Sequence, residues 1–296
     1  MRSIVDASPT PRGACLGAAS AEGAPTQGTT VWCVSGPVRV ELSEAETSRA
    51  SRAYWNSAAD EYLSEHGEFL GDDRFIWCPE GVDEEQAQLL GPVRGKRILE
   101  VGCGGAQCSR WLAGQGADVV AFDISLEQLR IARQLDRRTG IAVRTVAADA
   151  VALPYKSSTF DIVCSAFGAL PFVADATTAL REIARTLKPS GLLVFSVTHP
   201  FRWTMPDDPT PAGLRITHSY FDRTPYVEVD DAGTPIYAEH HRTTGDWIRA
   251  LTTAGFVVDD LLEPEWPAGH DLVWGGWGPD RGRLVPGTAI WSAHKA

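Results

Sequence analysis

Across residues 97–197, short apolar runs alternate with stretches whose apolar residues recur every three or four positions. The runs at 97–101, 118–122, 142–147, 160–165 and 192–197 have the length of buried strands, and the intervening segments have helical spacing. Ser125 and Gln128 form a prospective capping box for a helix reaching about Arg138. Asp175 is placed to cap a helix with Leu180, Ile183, Ala184 and Leu187 on one face, stopped by Pro189 and Gly191. Strand alternating with helix predicts right-handed crossovers and a parallel sheet covered on both faces.

The flanks change character. Residues 1–42 are rich in Ala, Gly, Ser, Thr and Pro without periodicity, which predicts a flexible N-terminal extension carrying one apolar island, Val31-Trp32-Cys33-Val34. Ser43-Glu44-Ala45-Glu46 reads as a helix start, and residues 43–92 as a helical lid. Residues 200–239, rich in proline and aromatics, carry alternating stretches at 217–221 and 227–229 and a turn at Asp231-Ala232-Gly233, the pattern of an inserted cap. A helix from Thr244 to Gly255 and strands at 256–262 and 288–293 complete the sheet within 240–296. The expected architecture is α/β: a doubly wound, seven-stranded, mostly parallel sheet whose core lies at 93–199.

The chemistry concentrates at strand ends. Glu100-Val101-Gly102-Cys103-Gly104-Gly105-Ala106 follows the first strand and precedes a helix, and glycines at such a turn let a ligand lie against bare backbone. An acid two residues before the first glycine repels phosphate and suits a cationic or amino-bearing ligand. Asp123 and Asp149 end the next two strands, so all three acids share the sheet edge where such folds bind ligands. Asp123 is spaced to take two ribose hydroxyls, and Asp149 to accept from an exocyclic amine, with Ile124 and Ala150 beside them to sandwich a purine.

The strings Ile98-Leu99-Glu100-Val101-Gly102-Cys103-Gly104, Val120-Ala121-Phe122-Asp123-Ile124-Ser125, Ala147-Ala148-Asp149-Ala150 and Phe160-Asp161-Ile162-Val163-Cys164-Ser165 resemble the successive motifs of class I S-adenosylmethionine-dependent methyltransferases. Leu187-Lys188-Pro189-Ser190-Gly191-Leu192 resembles the lead into the fifth strand, and Tyr54-Trp55-Asn56 the N-terminal helix of the small-molecule, type 11 branch. The resemblance covers residues 47–199 well and 240–296 loosely. It implies a Rossmann-like fold, S-adenosyl-L-methionine as cofactor with S-adenosyl-L-homocysteine as product, and cofactor contacts from Tyr54, Glu100, Gly102, Cys103, Gly104, Asp123, Ile124, Asp149, Ala150 and Ser165. The family's third glycine is Ala106 here, which is tolerated if its backbone stays out of positive φ. A nicotinamide dinucleotide fits less well, because its fingerprint wants glycine where Gln107 stands and Glu100 would face the pyrophosphate.

A catalytic base is less legible. His199, after strand five, is the best-placed base or else a structural cap on the strand end. Phe201, Trp203 and Tyr220 are candidates for the wall of a substrate pocket or for ordinary core, and so are Trp266, Trp274 and Trp277. No metal site is expected: the six cysteines form no CxxC pair. The net charge of −11 disfavours a nucleic-acid partner. No run of about 18 apolar residues spans a bilayer, and a cytoplasmic protein with reduced thiols is expected. The function expected is methyl transfer to oxygen or carbon of a small molecule. The alternatives are a cofactor-binding sensor or scaffold without transferase activity, and an enzyme using the same cofactor for other chemistry.

Overall fold

The computed structural model describes residues 35–296. The island at 31–34 and most of the expected extension lie outside the described residues. Ten strands and eight α-helices are present among those described: β1 (Ser35–Arg39), α1 (Glu44–Ser57), α2 (Ala59–Leu70), α3 (Glu84–Ala87), β2 (Arg97–Val101), α4 (Gln107–Gly114), β3 (Asp118–Asp123), α5 (Leu126–Thr139), β4 (Arg144–Ala147), β5 (Phe160–Ala166), α6 (Ala176–Thr186), β6 (Leu187–Thr198), β7 (Tyr226–Val229), β8 (Pro235–Glu239), α7 (Thr244–Thr253), β9 (Phe256–Leu262), α8 (Pro279–Gly282) and β10 (Thr288–Lys295).

The main sheet has seven strands in the order β4-β3-β2-β5-β6-β10-β9. Its first five strands pair in parallel, and β10 runs antiparallel to both β6 and β9. Leu99, Val101, Phe122, Val163, Leu193 and Phe195 are buried on one face with α6 and α7, and Ile98, Val119, Ile162 and Val194 on the other with α4. Both faces are covered, which is why these strands read as continuous apolar runs rather than alternating ones. The sheet matches the seven-stranded, mostly parallel arrangement expected.

Local chemistry fixes the helices that reach the sheet edge. Ser43 and Glu46 cap α1 reciprocally, with Ser43 Oγ donating to Glu46 Oε2 at 2.6 Å and the Ser43 amide to the same oxygen at 2.9 Å. Asp175 caps α6, accepting from the Thr178 amide at 3.0 Å. At α5 only half of the expected box forms: Ser125 Oγ accepts the Gln128 amide at 3.1 Å, while the Gln128 side chain turns toward Gly104.

Three further expectations are corrected. Residues 35–39, expected to belong to the flexible extension, form β1 and pair with β7, making a small antiparallel sheet β1-β7-β8. Local composition holds no trace of a pairing this distant in sequence. The stretch at 217–221 is a turn held by the Thr204 carbonyl, and the hairpin is β7–β8 alone. Helix α6 ends at Thr186, ahead of Pro189, because Leu187 already pairs with Phe160 in the sheet. No helix among the described residues is long and apolar enough to cross a membrane.

Candidate active site

A cleft opens at the carboxyl edge of β2, β3 and β4, bounded by the glycine turn, the segment after β5, and helices α1 and α2. It encloses about 1020 Å³ of empty space, part of it open to solvent. Glu100, Gly102, Cys103, Gly104, Asp123, Ile124, Asp149 and Ala150 all line it. The strand order β4-β3-β2 sets Asp149, Asp123 and Glu100 in spatial succession along its length.

The floor depends on glycine. Gly102 has φ of 65°, and a Cβ there would lie 2.8 Å from Gly168 Cα and closer still to the Ala169 amide. The turn after β2 and the segment after β5 therefore touch backbone to backbone, and no side chain fits between them. Arg110, buried in α4, braces the turn by donating to the Gly105 carbonyl, to the Asp72 carbonyl at 2.6 Å and to Asp136 Oδ1 at 3.0 Å. Ala106 corrects an expectation: its φ is 59°. A left-handed alanine costs about 1 kcal/mol. Its methyl group is fully buried beside Cys103, Ala121 and Leu129, a contact that glycine would not make.

The carboxylates differ in their surroundings. Asp123 is buried and accepts the Gly104 amide at 2.8 Å and the Ser125 amide at 2.9 Å. Burial raises its pKa, and these amides oppose the rise. Glu100 is buried, bonded by the Ser109 hydroxyl, and burial pushes it up to about 7. Asp149 Oδ2 accepts from Ser48 Oγ on α1 at 2.7 Å. None of the three has an ion-pair partner among the described residues. Uncompensated carboxylates around bare backbone suit a ligand that brings hydroxyls, an amine and positive charge.

Other expected residues stand elsewhere. Ser165 is buried, its hydroxyl donating to the Val101 carbonyl at 2.8 Å inside the sheet. Tyr54 points away from the cleft and packs on Tyr237, with ring centroids 4.7 Å apart; its neighbour Trp55 lines the cleft instead. His199 lies outside the cleft and is held at both nitrogens: its Nδ1 accepts the Phe201 amide at 3.1 Å, so Nε2 carries the proton and donates to Glu263 at 2.7 Å. Phe201 follows it in the same short turn, outside the cleft. Trp203 is buried beneath the Arg39 and Arg202 guanidinium groups. Tyr220 is a brace for α7, its oxygen accepting the Thr244 amide at 2.9 Å. Of the three tryptophans, Trp274 stacks on His66 at 3.7 Å, while Trp266 and Trp277 are buried.

The sequence reading missed Ser48, Ser51, Arg74, Phe167 and Phe172, which also line the cleft, as does Tyr62 of the expected lid. Ser48, Ser51 and Trp55 recur at helical spacing, a signal that an apolar-face search passes over.

Residues 99–195 match the family model described as a methyltransferase domain, and the sheet order and the cleft at its carboxyl edge agree with that match. Among known proteins the chain is similar to a ubiquinone biosynthesis O-methyltransferase of Bordetella avium, 31% identical over 54% of this chain and 62% of that protein. It is also similar to a demethylmenaquinone methyltransferase of Renibacterium salmoninarum, 40% identical over 38% of this chain and 45% of that one. A solved S-adenosylmethionine dependent methyltransferase from Mesorhizobium loti is 28% identical, with a TM-score of 0.58, and the match covers 74% of this chain and all of that structure. The chain thus spans less than two thirds of the curated relatives it matches.

Proposed function

We propose that this protein binds S-adenosyl-L-methionine in the cleft and transfers its methyl group to a small-molecule acceptor, with oxygen favoured as the accepting atom. The observation that carries the reading is the row of unpaired carboxylates, Asp149, Asp123 and Glu100, beside a turn whose backbone a Cβ would block. On this reading Asp149 faces the adenine amine, Asp123 the ribose hydroxyls and Glu100 the methionyl end. The bound cofactor supplies an electrophilic methyl group on a sulfonium. The protein's part is to exclude water and hold the acceptor in line. The choice of oxygen leans on the name of the Bordetella relative.

The acceptor is expected beneath the inserted hairpin. Its register sets Tyr226 opposite Glu239 and Glu228 opposite Tyr237 on one face, while Val227 and Ala238 are buried on the other. The polar face meets Tyr54 of α1 and the end of β6, where Thr198 Oγ1 donates to Glu239 Oε1 at 3.0 Å. The Tyr237 ring lies 5.9 Å from that of Phe172, which lines the cleft. The test is calorimetric binding of S-adenosylmethionine, then release of S-adenosylhomocysteine with a panel of phenolic and hydroxylated acceptors. Absence of cofactor binding would sink the reading. Binding without release for any acceptor would leave the sensor alternative standing.

A further inference from the structure

A second cavity lies beside the cleft and encloses about 910 Å³ of empty space, part of it open to solvent. The two cavities have no lining residue in common. They adjoin at Arg242, which donates to the Val173 carbonyl at 2.6 Å and to the Ala174 carbonyl at 3.0 Å. Val173 lines the cleft and Ala174 the second cavity. Arg223, Arg242 and Arg249 line this cavity against two carboxylates, Glu41 and Asp246, in a chain whose net charge is −11. We propose that the cavity is a binding site for a phosphate group, as the free ion or on a small phosphomonoester, held by these arginines and recognised by His241.

Arg242 supplies the charge. Its hydrogen bonds go to carbonyls, those of Leu170, Val173, Ala174 and His240. Among the described residues no carboxylate comes within ion-pair distance of it. Burial lowers its pKa to about 10, so it stays charged near neutral pH with no counter-ion in contact. A guanidinium in that state is a strong partner for an anion. Arg223 and Arg249 both pair with Asp246, at 2.7 and 2.5 Å, and their side chains are 50% and 67% exposed. Such exposed pairs are weak, and each arginine can turn N–H groups to a ligand.

His241 sets the chemistry. It is 2% exposed and lines the cavity, and its Nε2 lies 2.8 Å from the Tyr220 carbonyl. A carbonyl only accepts, so Nε2 carries the proton and Nδ1 keeps a lone pair. Burial, with Arg39 and Arg223 nearby, lowers the imidazole pKa and favours this neutral form. Nδ1 is buried with no hydrogen-bond partner among the described residues, a costly state that a ligand donor relieves. The cavity thus offers positive charge together with one unmet acceptor. Phosphate matches both. A phosphomonoester keeps a P–O–H below its second pKa of about 6, and inorganic phosphate keeps one throughout the neutral range. Sulfate and carboxylates bring the charge without a proton to give.

The test is calorimetry on the full chain at about pH 6, in a buffer free of phosphate. Inorganic phosphate and glycerol 3-phosphate are the titrants, with sulfate for comparison. Saturable binding of either phosphate, about 10-fold tighter than sulfate, is the expected result. Tighter binding of glycerol 3-phosphate assigns the site to a phosphomonoester, and tighter binding of inorganic phosphate to the free ion. His241→Gln keeps a donor for the Tyr220 carbonyl and removes the Nδ1 acceptor, so phosphate should fall to the affinity of sulfate. Arg242→Gln should weaken both anions by about 10-fold or more. Because Arg242 also braces the segment at 170–174, Arg249→Gln is the second variant. It should weaken both anions several-fold and leave the unfolding midpoint nearly unchanged. No phosphate binding, equal affinities for phosphate and sulfate, or variants that bind as the unaltered protein does would each overturn the assignment. None of these measurements uses an S-adenosyl ligand, so the outcome is independent of the cofactor reading.

Discussion

Ser48 Oγ donates to Asp149 Oδ2 across 2.7 Å, joining the N-terminal half of α1 to the segment after β4. The same helix reaches the Phe172 carbonyl through Ser51 at 3.4 Å and His240 Nε2 through Thr47 at 3.1 Å, so it roofs the cleft by polar contacts. A ligand entering beneath α1 must part these bonds. Ser48→Ala removes the one that bears on a charge, at a cost of about 1 kcal/mol. Faster dissociation of S-adenosylhomocysteine in stopped-flow, by several-fold, is the expected result; an unchanged rate means that α1 does not gate the cleft.

Gly102→Ala adds a Cβ where the segment after β5 already stands, at a φ that alanine resists. Relief requires Gly168 and Ala169 to retreat, and both line the cleft. The expected outcome is a loss of about 3 kcal/mol of stability in denaturant unfolding, with ligand binding lost in any folded fraction. Gly91→Ala, where φ is 62° but a Cβ meets nothing within 4 Å, is the control. It should cost about 1 kcal/mol and leave binding intact.

The fold was legible because burial on both faces writes each strand as an apolar run, and the three carboxylates because each closes such a run. The roof was not. Tyr54 and Trp55 are adjacent on α1, about 100° apart around its axis, and composition does not say which one turns to the cleft. Arg74 sits in an irregular segment whose path is set by Arg110, through a contact spanning 38 positions. His199 was a reasonable candidate by position alone. Hydrogen bonds to Phe201 and Glu263 occupy both of its nitrogens, and only three-dimensional structure reports them.

His199→Gln tests that demotion. The change should cost about 1 kcal/mol of stability through the lost amide cap and Glu263 contact. Once an acceptor is in hand, the pH profile of turnover should keep its shape. Loss of an ionisation from that profile would restore His199 as the base.

Glu100 gives the pH dependence of binding. Burial holds its pKa at about 7, well above that of an unfolded glutamate at about 4.3. The sign follows from linkage: Glu100 contributes stability below the unfolded value, and that contribution is lost as pH rises through 7. Binding runs the other way, since a cationic ligand favours the carboxylate. Affinity for S-adenosylmethionine should therefore climb with pH to about 7 and then level off, with proton release accompanying binding on the acid side. Calorimetry in buffers of differing ionisation enthalpy measures that release directly. Glu100→Gln should bind more weakly and lose this pH dependence; if the slope persists in that variant, the titrating group is another, and buried Asp123, also shifted upward, is the next to replace.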